Sequence, residues 1–281
     1  MPDALSFAVI GHPVGHSRSP EIHQAFARQF AISLTYSRLE AAPDRFSESV
    51  AQFFRDGGAG LNVTLPHKFA AAQLAATLSL RASHAGAVNT LSPEGQVLAG
   101  DNTDGIGLFR DLVRIGTKVG IDTCSSSILV IGAGGAAQGA LSGLLDAGCR
   151  RLAVVARDSG KAKILSDRLS APRPIEIVEW TSGSPAHGFD IVINATAASH
   201  RGETLELQES WLSDSILAYD LGYSGRHGPG RPFLEYARSK DVPHVEDGLG
   251  MLVEQAAESF FVWHGVKPDV VPVLAALKAV A

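Results

Sequence analysis

The sequence predicts an α/β fold in two domains, the second of them built on a doubly wound parallel sheet. Short apolar segments alternate with helical patterns along most of the chain, as βα units require. A glycine-rich turn at residues 132–137 connects an apolar strand to a helix, as in dinucleotide-binding domains. The 281 residues also exceed the usual size of a single hydrophobic core.

The first strands and helices follow from apolar runs and the residues beside them. Ser19 offers a hydroxyl as an N-cap and Pro20 suits the first helical position, so a helix is expected near residues 21–30. Another helix is expected to open at residues 43–44. Strands are expected at residues 5–10, 34–39 and 59–63.

The next elements surround two polar motifs. Pro66 is expected to begin a helix that carries Lys68 in its first turn. Residues 88–91 and 96–98 flank Ser-Pro-Glu-Gly, which predicts a hairpin. A further helix is expected over residues 104–115.

The second half of the chain continues the alternation. Residues 116–126 are polar and rich in Gly, Thr and Ser, so they are predicted to link the two domains, and residues 224–231 are predicted to form a loop. The last long helix carries an apolar stripe that packs on a core, formed by Leu249, Leu252, Val253, Ala256 and Phe260. Strands are expected at residues 128–131, 152–155, 175–178, 191–194 and 217–219.

Composition excludes several functional classes. The chain has 24 Lys and Arg against 29 Asp and Glu, and no basic run could follow a phosphate backbone, so nucleic acid is not expected as a partner. No apolar run reaches the length of about 18 residues that suggests a membrane span. The N-terminus also lacks a signal pattern, so we expect a cytoplasmic protein without a membrane partner.

Cysteine and histidine spacing argues against a metal site. Cys124 and Cys149 are too few for a disulfide framework, and reduced, structural thiols are the better interpretation. No His-x-x-x-His or mixed His/Cys cluster is present. We therefore expect no metal.

Two short motifs carry the chemistry, because residues 60–68 end in Lys68 and residues 100–105 contain Asp104. Most lysines are solvated surface residues. Near a carboxylate in a partly closed site, burial favours the neutral amine and the carboxylate favours the ammonium, so such a pair can pass a proton at neutral pH. Polar groups that could hold a hydroxylated ring, or that could simply form turns, are Asn62, Thr64 and Asn89. Proton transfer beside a nicotinamide indicates alcohol oxidation or carbonyl reduction.

The glycine-rich turn suits a dinucleotide. Gly132 permits the tight turn, Gly134 lets the backbone approach a pyrophosphate, and Ala137 lets the helix lie close to the sheet. After the next strand, Arg157 and Lys161 suit the 2′-phosphate of NADP, whereas an acidic residue there would suit NAD. Asp158 opposes the phosphate unless its side chain turns away, so NADP is favoured and NAD stays an alternative.

Three further motifs lie at residues 15–20, 86–90 and 247–256. With the motifs above, they occur in the order and at the spacing of the shikimate dehydrogenase family, which the chain resembles from residue 7 to residue 278. The resemblance implies an N-terminal α/β substrate domain, a Rossmann-type NADP-binding domain and C-terminal helices that return to the substrate domain. The corresponding boundaries are 1–103, 104–243 and 244–281.

The resemblance also implies roles for individual residues. Lys68 would protonate the C3 oxygen of 3-dehydroshikimate as hydride arrives, and Asp104 would hold the lysine and a ring hydroxyl. Substrate contacts are assigned to Ser17, Ser19, Asn62, Thr64, Asn89, Tyr223 and Gln255, although the two serines also suit a purely capping role. Cofactor contacts are assigned to Gly132, Ala133, Gly134, Gly135, Ala136, Arg157, Lys161, Thr196, Leu221 and Gly248.

The chain departs from the family pattern around Arg157, at residues 197–199 and in the lengthened segment 224–231. These changes are expected to weaken cofactor affinity or tune specificity and to spare the proton-transfer pair. The expected function is therefore reversible, NADP-dependent reduction of 3-dehydroshikimate to shikimate, in aromatic amino acid biosynthesis, by a monomer or homodimer.

Three alternative functions are also considered. A quinate/shikimate dehydrogenase with NAD use is separated poorly by sequence, because one pocket group can decide between the two substrates. A non-catalytic NADP-binding sensor would predict an altered Lys68 or Asp104, and both are intact. A folate-type dehydrogenase lacks support from the Ser-x-Ser motif and Gln255.

Overall fold

The computed structural model describes residues 4–169, 174–181, 188–198, 203–223 and 231–279. The chain divides into two compact units. The first extends to Gly107 and also contains Val253–Leu277, and the second contains Leu108–Leu252 and Lys278. The chain therefore returns to the first unit after completing most of the second.

The first unit is a six-stranded mixed sheet in the order β2-β1-β3-β5-β6-β4. Its strands are β1 (Leu5–Gly11), β2 (Leu34–Glu40), β3 (Gly58–Val63), β4 (Thr77–Leu78), β5 (Thr90–Glu94) and β6 (Val97–Asp101). β1 runs parallel to β2 and β3, and β5 runs antiparallel to β3 and β6. Its helices are α1 (Ser19–Gln29), α2 (Phe46–Arg55), α3 (Lys68–Leu74) and α4 (Leu80–Ala85), with a 3₁₀ turn at Pro43–Arg45.

The second unit is a six-stranded sheet in the order β12-β11-β10-β7-β8-β9, and all its pairs are parallel. Its strands are β7 (Ser127–Ile131), β8 (Arg151–Val155), β9 (Glu176–Val178), β10 (Ile191–Asn194), β11 (Leu217–Asp220) and β12 (His244–Asp247). Its helices are α6 (Gly135–Asp146), α7 (Ser159–Leu169) and α8 (Pro232–Ser239), with a 3₁₀ turn at Glu209–Trp211. The predicted α/β class and doubly wound domain are confirmed.

Three helices each contain residues of both units. α5 (Asp104–Val119) begins in the first unit and continues in the second, and α9 (Leu249–His264) does the reverse. α10 (Val271–Ala279) follows and lies almost entirely in the first unit. Within α9 the predicted apolar stripe is buried, except that Leu252 is half-buried.

The core of the second unit explains its layered fold. Along β7, Ile128 and Val130 pack with one set of buried side chains, including Leu108 of α5, whereas Leu129 and Ile131 pack with another. Successive side chains of a strand point to opposite faces, so an entirely apolar strand must be covered on both faces. The apolar run therefore requires helices on both sides of the sheet.

Several predicted boundaries in the first unit are wrong. The N-cap of α1 is Arg18, and Ser19 is the first helical residue. α3 begins at Lys68 and not at Pro66, because the His67 N–H donates to the Thr64 carbonyl and closes a turn first. Lys68 nevertheless lies in the first turn, as predicted.

The hairpin and the linker also differ from prediction. β5 begins at Thr90 and includes Ser92–Glu94, which were expected to form the turn. Because Glu94 pairs with Val97, the turn consists only of the two residues between them. The first of these, Gly95, is in the left-handed region at φ 63°. α5 continues to Val119, four residues beyond the predicted end, because its bonding ends only where the Gly120 N–H meets the Gly116 carbonyl. The short strands β4 and β12 were not predicted.

His23 in α1 makes stability of the first unit depend on pH. Burial, and then the positive potential of His264, lower the pKa of His23 from 6.5 to about 3, while Asn62 opposes the shift. The folded state thus disfavours a proton that the unfolded chain accepts below pH 6.5, so this stability is complete above that pH and is lost as pH falls towards 3.

We therefore expect the free energy of unfolding to fall by about 2 kcal/mol between pH 7 and pH 5 through His23 alone. Urea titrations at both pH values check this in the wild type and in His23→Phe, which keeps an aromatic ring against Tyr36. The variant should show a smaller loss. An equal loss in both proteins would assign the pH dependence to other groups.

Candidate active site

Lys68 and Asp104 form an ion pair in the first unit. Each is the first residue of its helix, Lys68 of α3 and Asp104 of α5. Lys68 Nζ donates to Asp104 Oδ2 at 2.6 Å, and the two side chains are 25% and 16% exposed. A pair that is partly shielded and partly open can exchange a proton with a bound molecule.

Asn89 connects this pair to the C-terminal helix α9. Its side chain is almost completely buried. Its Nδ2 faces three acceptors, which are Asp104 Oδ1 at 3.0 Å, Gln255 Oε1 at 3.3 Å and Thr103 Oγ1 at 2.9 Å. The structure therefore brings together four predicted site residues from four separate motifs.

Asn62 lies behind this group and is buried. Its Oδ1 accepts from the Tyr36 hydroxyl at 2.6 Å. Its Nδ2 faces the Asn89 carbonyl oxygen at 3.1 Å, Thr90 Oγ1 at 3.2 Å and Ser259 Oγ at 3.1 Å. The neighbouring Thr64 is half-buried, and its backbone N–H donates to the Ile10 carbonyl at 2.9 Å.

Sequence reasoning missed the hydroxyl groups that complete this network. They belong to Tyr36, Thr90, Thr103 and Ser259. Two signals were present, because Thr90 follows Asn89 directly and Ser259 lies one helical turn after Gln255 in α9.

Ser17 and Ser19 lie together at the start of α1. Their Oγ atoms are 3.1 Å apart, and both side chains are buried. The Ser19 N–H donates to Ser17 Oγ at 3.3 Å, and Arg38 Nε donates to the Ser17 carbonyl at 2.8 Å. Two hydroxyls at a helix N-terminus form a favourable environment for an anion such as a carboxylate.

The glycine-rich turn in the second unit has the geometry of a phosphate-binding turn. Gly132 follows β7 with a positive φ of 119°, and a Cβ there would lie 3.1 Å from the Ala195 carbonyl oxygen. A Cβ on Gly134 would meet nothing within 4 Å, so the backbone before α6 is open to a ligand. Ala133, Gly135 and Ala136 complete the turn, and Ala137 is fully buried against the core as predicted.

The turn after β8 resolves the orientation of Asp158. Its Oδ1 accepts from the Lys161 backbone N–H at 3.2 Å, and its Oδ2 lies 3.8 Å from Lys161 Nζ. Asp158 thus bonds back to the first turn of α7 as an N-terminal cap does. Arg157, Asp158 and Lys161 are all exposed.

Three predicted cofactor residues lie where β10, β11 and β12 end. The Thr196 N–H and hydroxyl both donate to Asn194 Oδ1, at 3.1 and 2.8 Å. A Cβ on Gly248 would overlap the Leu221 carbonyl oxygen, so these two backbones touch directly. The carboxyl ends of parallel strands are the ligand-binding edge of such sheets.

Tyr223 is half-buried and belongs to the second unit, three residues after β11. Of the two altered segments, Ser199 and residues 224–230 lie outside the described residues. At the end of the second segment, Arg231 Nη1 lies 3.7 Å from Asp220 Oδ1, and Arg231 Nε lies 3.9 Å from Asp247 Oδ2.

The described part of the chain offers neither a metal site nor a membrane-spanning helix. No group of three or more His, Cys, Asp or Glu side chains is placed there to hold a metal ion. Among those same residues, every helix is too short or too polar to cross a membrane. Cys124 and Cys149 are free, with their Sγ atoms 3.5 Å apart.

Three sequence families match consecutive parts of the chain. Residues 9–91 match the shikimate dehydrogenase substrate binding domain, residues 115–221 match shikimate / quinate 5-dehydrogenase, and residues 248–278 match the shikimate 5′-dehydrogenase C-terminal domain. Among curated proteins, the shikimate dehydrogenase (NADP(+)) of Xylella fastidiosa (strain 9a5c) is 44% identical over 273 residues, covering 96% of this chain and 95% of the relative. That of Bordetella avium (strain 197N) is 44% identical and covers 99% and 96%.

Solved structures are also similar to almost the whole of this chain. The Ael1 enzyme from Pseudomonas putida is 40% identical, with a TM-score of 0.87 and 98% of each chain covered. Shikimate 5-dehydrogenase from Thermus thermophilus, solved in complex with NADP(H) and shikimate, is 28% identical with a TM-score of 0.84, covering 99% of this chain and 100% of that one.

Proposed function

The chain belongs to the shikimate dehydrogenase family, and we propose that Lys68 and Asp104 are the acid–base pair of its reaction. The enzyme is an NADP-dependent oxidoreductase that interconverts 3-dehydroshikimate and shikimate in the shikimate pathway. The observation that carries the proposal is the 2.6 Å contact between Lys68 Nζ and Asp104 Oδ2, beside the side chains of Asn89 and Gln255.

Lys68 supplies the proton in the reductive direction. Its ammonium donates to the C3 oxygen of 3-dehydroshikimate, and in the oxidative direction the neutral amine takes the proton back. Asp104 accepts the hydrogen bond from Lys68 through its Oδ2 at 2.6 Å and so keeps the ammonium oriented. Asn89 holds the other oxygen of Asp104, so the carboxylate cannot rotate freely.

The remaining proposed site residues of the first unit would fix the orientation of the substrate. We assign its carboxylate to the hydroxyls of Ser17 and Ser19, and its ring hydroxyls to Asn62, Thr64, Asn89 and Gln255. Tyr223 is proposed as a further substrate contact. A substrate fixed at its carboxylate presents one particular ring carbon to Lys68, which gives the reaction its position specificity.

The residues of the second unit fit NADP, which when bound accepts or donates the hydride. The open backbone at Gly134 and the positive φ of Gly132 suit a pyrophosphate, so we assign the turn from Gly132 to Ala136 to it. We assign the 2′-phosphate to Arg157 and Lys161, and the rest of the cofactor to Thr196, Leu221 and Gly248. Since Asp158 turns back towards α7, its carboxylate is engaged by the helix.

This assignment predicts how Arg157 and Asp158 set cofactor choice. Arg157→Ala should shrink the ratio of kcat/KM for NADP over NAD by harming NADP selectively, because a guanidinium can bind phosphate in a bidentate manner. Asp158→Thr should widen the ratio, since a threonine can cap α7 without negative charge. Steady-state kinetics with both cofactors measure these ratios.

The matched control is Arg150→Ala, which removes an exposed arginine from the same unit and should leave the ratio unchanged. An unchanged ratio in Arg157→Ala, or a wild type that prefers NAD, would refute the assignment of the 2′-phosphate.

The substrate itself is tested by an assay of shikimate and quinate against NADP and NAD. Formation of reduced cofactor should be most efficient with shikimate and NADP. If quinate with NAD were used at least as efficiently, the enzyme would be a broader quinate/shikimate dehydrogenase.

We also propose the cytoplasm as the location of the protein and a monomer or homodimer as its assembly. Gel filtration with light scattering can distinguish the monomer from the homodimer.

A further inference from the structure

Arg81 occupies the centre of a shielded ion-pair network that is separate from the residues assigned above. Its Nε and Nη2 donate to the two carboxylate oxygens of Asp101 at 2.7 and 2.5 Å. Its Nη1 donates to Glu258 Oε1 at 2.7 Å. The Glu258 side chain is only 8% exposed, and that of Asp101 is 15% exposed. Arg81 thus joins α4 both to the end of β6 and to α9.

We propose that Arg81 is a positioning residue that holds Asp104 and Gln255 in their places around the reacting group. The inference rests on the proposed function of Lys68 and Asp104. Arg81 itself is not assigned a contact with substrate or cofactor, so it acts through the two acidic residues that it binds.

The connection to Asp104 runs along the segment from Asp101 to Asp104 through two hydrogen bonds from backbone N–H groups to side-chain oxygens. Asp101 Oδ1 accepts from the Asn102 N–H at 2.7 Å, and Asn102 Oδ1 accepts from the Asp104 N–H at 3.0 Å. Asn102 Nδ2 also donates to the Ala87 carbonyl at 2.9 Å. These bonds fix the backbone just before α5, so the position of Asp101 determines where Asp104 begins its helix.

The connection to Gln255 runs through α9. Glu258 lies three residues after Gln255 and next to Ser259, and residues three apart lie on neighbouring parts of a helix surface. By holding Glu258, Arg81 fixes both the rotation and the height of α9 at the point where Gln255 meets Asn89. The Arg81 guanidinium therefore connects the segment that carries Asp104 with the helix that carries Gln255, and both of these residues contact Asn89.

The electrostatics favour a fixed geometry. Burial disfavours the charged form of Asp101, but hydrogen bonds from Arg81 and Ser79 more than compensate, so the pKa of Asp101 lies below its ordinary value. Arg81 meets Asp101 as a two-pronged fork, with a third bond to Glu258. A lysine cannot reproduce this arrangement, because its ammonium is a point charge without a planar fork.

The test is Arg81→Lys, which keeps the charge and removes the fork. We expect kcat for shikimate oxidation to fall by about 10- to 100-fold, because small displacements of catalytic groups have effects of this size. KM for NADP should stay near the wild-type value. The ratio of kcat in H₂O to kcat in D₂O should rise, because a displaced base makes proton transfer a larger part of the rate limitation.

Two control variants separate positioning from general damage. Val50→Ala removes buried apolar volume from the same unit and should lower its melting temperature without changing the solvent isotope effect. Arg45→Lys changes an exposed arginine that pairs with Glu48 and should change neither. If Arg81→Lys kept wild-type kcat, or lost activity and thermal stability only in the proportion seen for Val50→Ala, the proposal would be overturned.

Measuring Lys68→Ala beside Arg81→Lys keeps the two proposals distinct. An active Lys68→Ala enzyme would remove the acid–base assignment and the positioning role with it. An inactive Lys68→Ala enzyme beside a fully active Arg81→Lys enzyme would remove the positioning role alone.

Discussion

Lys68→Ala should lower kcat for shikimate oxidation by about 10² to 10⁴, because general acid–base catalysis by one side chain has effects of this size. KM for shikimate should change little, since the substrate's carboxylate is held by other residues. Steady-state kinetics with saturating NADP measure both quantities, and circular dichroism with a thermal melt establishes that the variant is folded.

The matched control is Lys267→Ala, which removes an exposed lysine from the same unit. It should retain wild-type kcat. Wild-type turnover in a folded Lys68→Ala enzyme would contradict the role of this lysine, and a rise in KM without a fall in kcat would show that Lys68 binds substrate without moving a proton.

Replacing both serines at the start of α1 should have the second large effect. In Ser17→Ala/Ser19→Ala, KM for shikimate should rise by about 10²-fold or more, because each lost hydrogen bond to a charged group costs about 1.5 to 3 kcal/mol. KM for NADP should change far less. Kinetics with each ligand varied in turn give the two values.

The chain offers a second Ser-x-Ser pair as a control for this experiment. Ser47 and Ser49 lie in α2, where they are exposed and half-buried. Ser47→Ala/Ser49→Ala should leave both Michaelis constants unchanged. If the Ser17/Ser19 variant raised both constants equally, or only lowered the melting temperature, the serines would serve α1 rather than the substrate.

The parts of the fold that sequence predicted well are those with strong local signals. The run Ile128–Ile131 is apolar without alternation, and Gly132 follows it, which together indicate a strand covered on both faces and a tight turn. Lys68 and Asp104 could be proposed as site residues because each lies in a short motif that also contains Asn and Thr side chains.

The parts that sequence missed depend on partners far apart in the chain. β4 has two residues and β12 is largely polar, so neither has an apolar alternation, and each exists through pairing with a neighbouring strand. The Arg81–Glu258 contact joins residues 177 positions apart. Such contacts appear only after α9 has returned to the first unit.

The orientation of Asp158 shows a different limit. Sequence placed a carboxylate beside the proposed phosphate-binding Arg157 and could not decide which way it points. The structure shows that it bonds to the first turn of α7, the role that Asp commonly takes before a helix. Asp is a common N-cap residue, so a capping role for Asp158 could be expected from its type. The same carboxylate could equally face the cofactor's 2′-phosphate, and the sequence did not decide between the two.

The central claim is that Lys68 and Asp104 act as one unit, and a double-mutant cycle tests it most directly. It compares kcat for the wild type, Lys68→Ala, Asp104→Asn and the double variant, all with shikimate and NADP. Residues that act together show strongly non-additive losses, so the double variant should be about as slow as Lys68→Ala alone. If the two losses instead multiplied in the double variant, Lys68 and Asp104 would act independently, and the account of a coupled acid–base pair would be wrong.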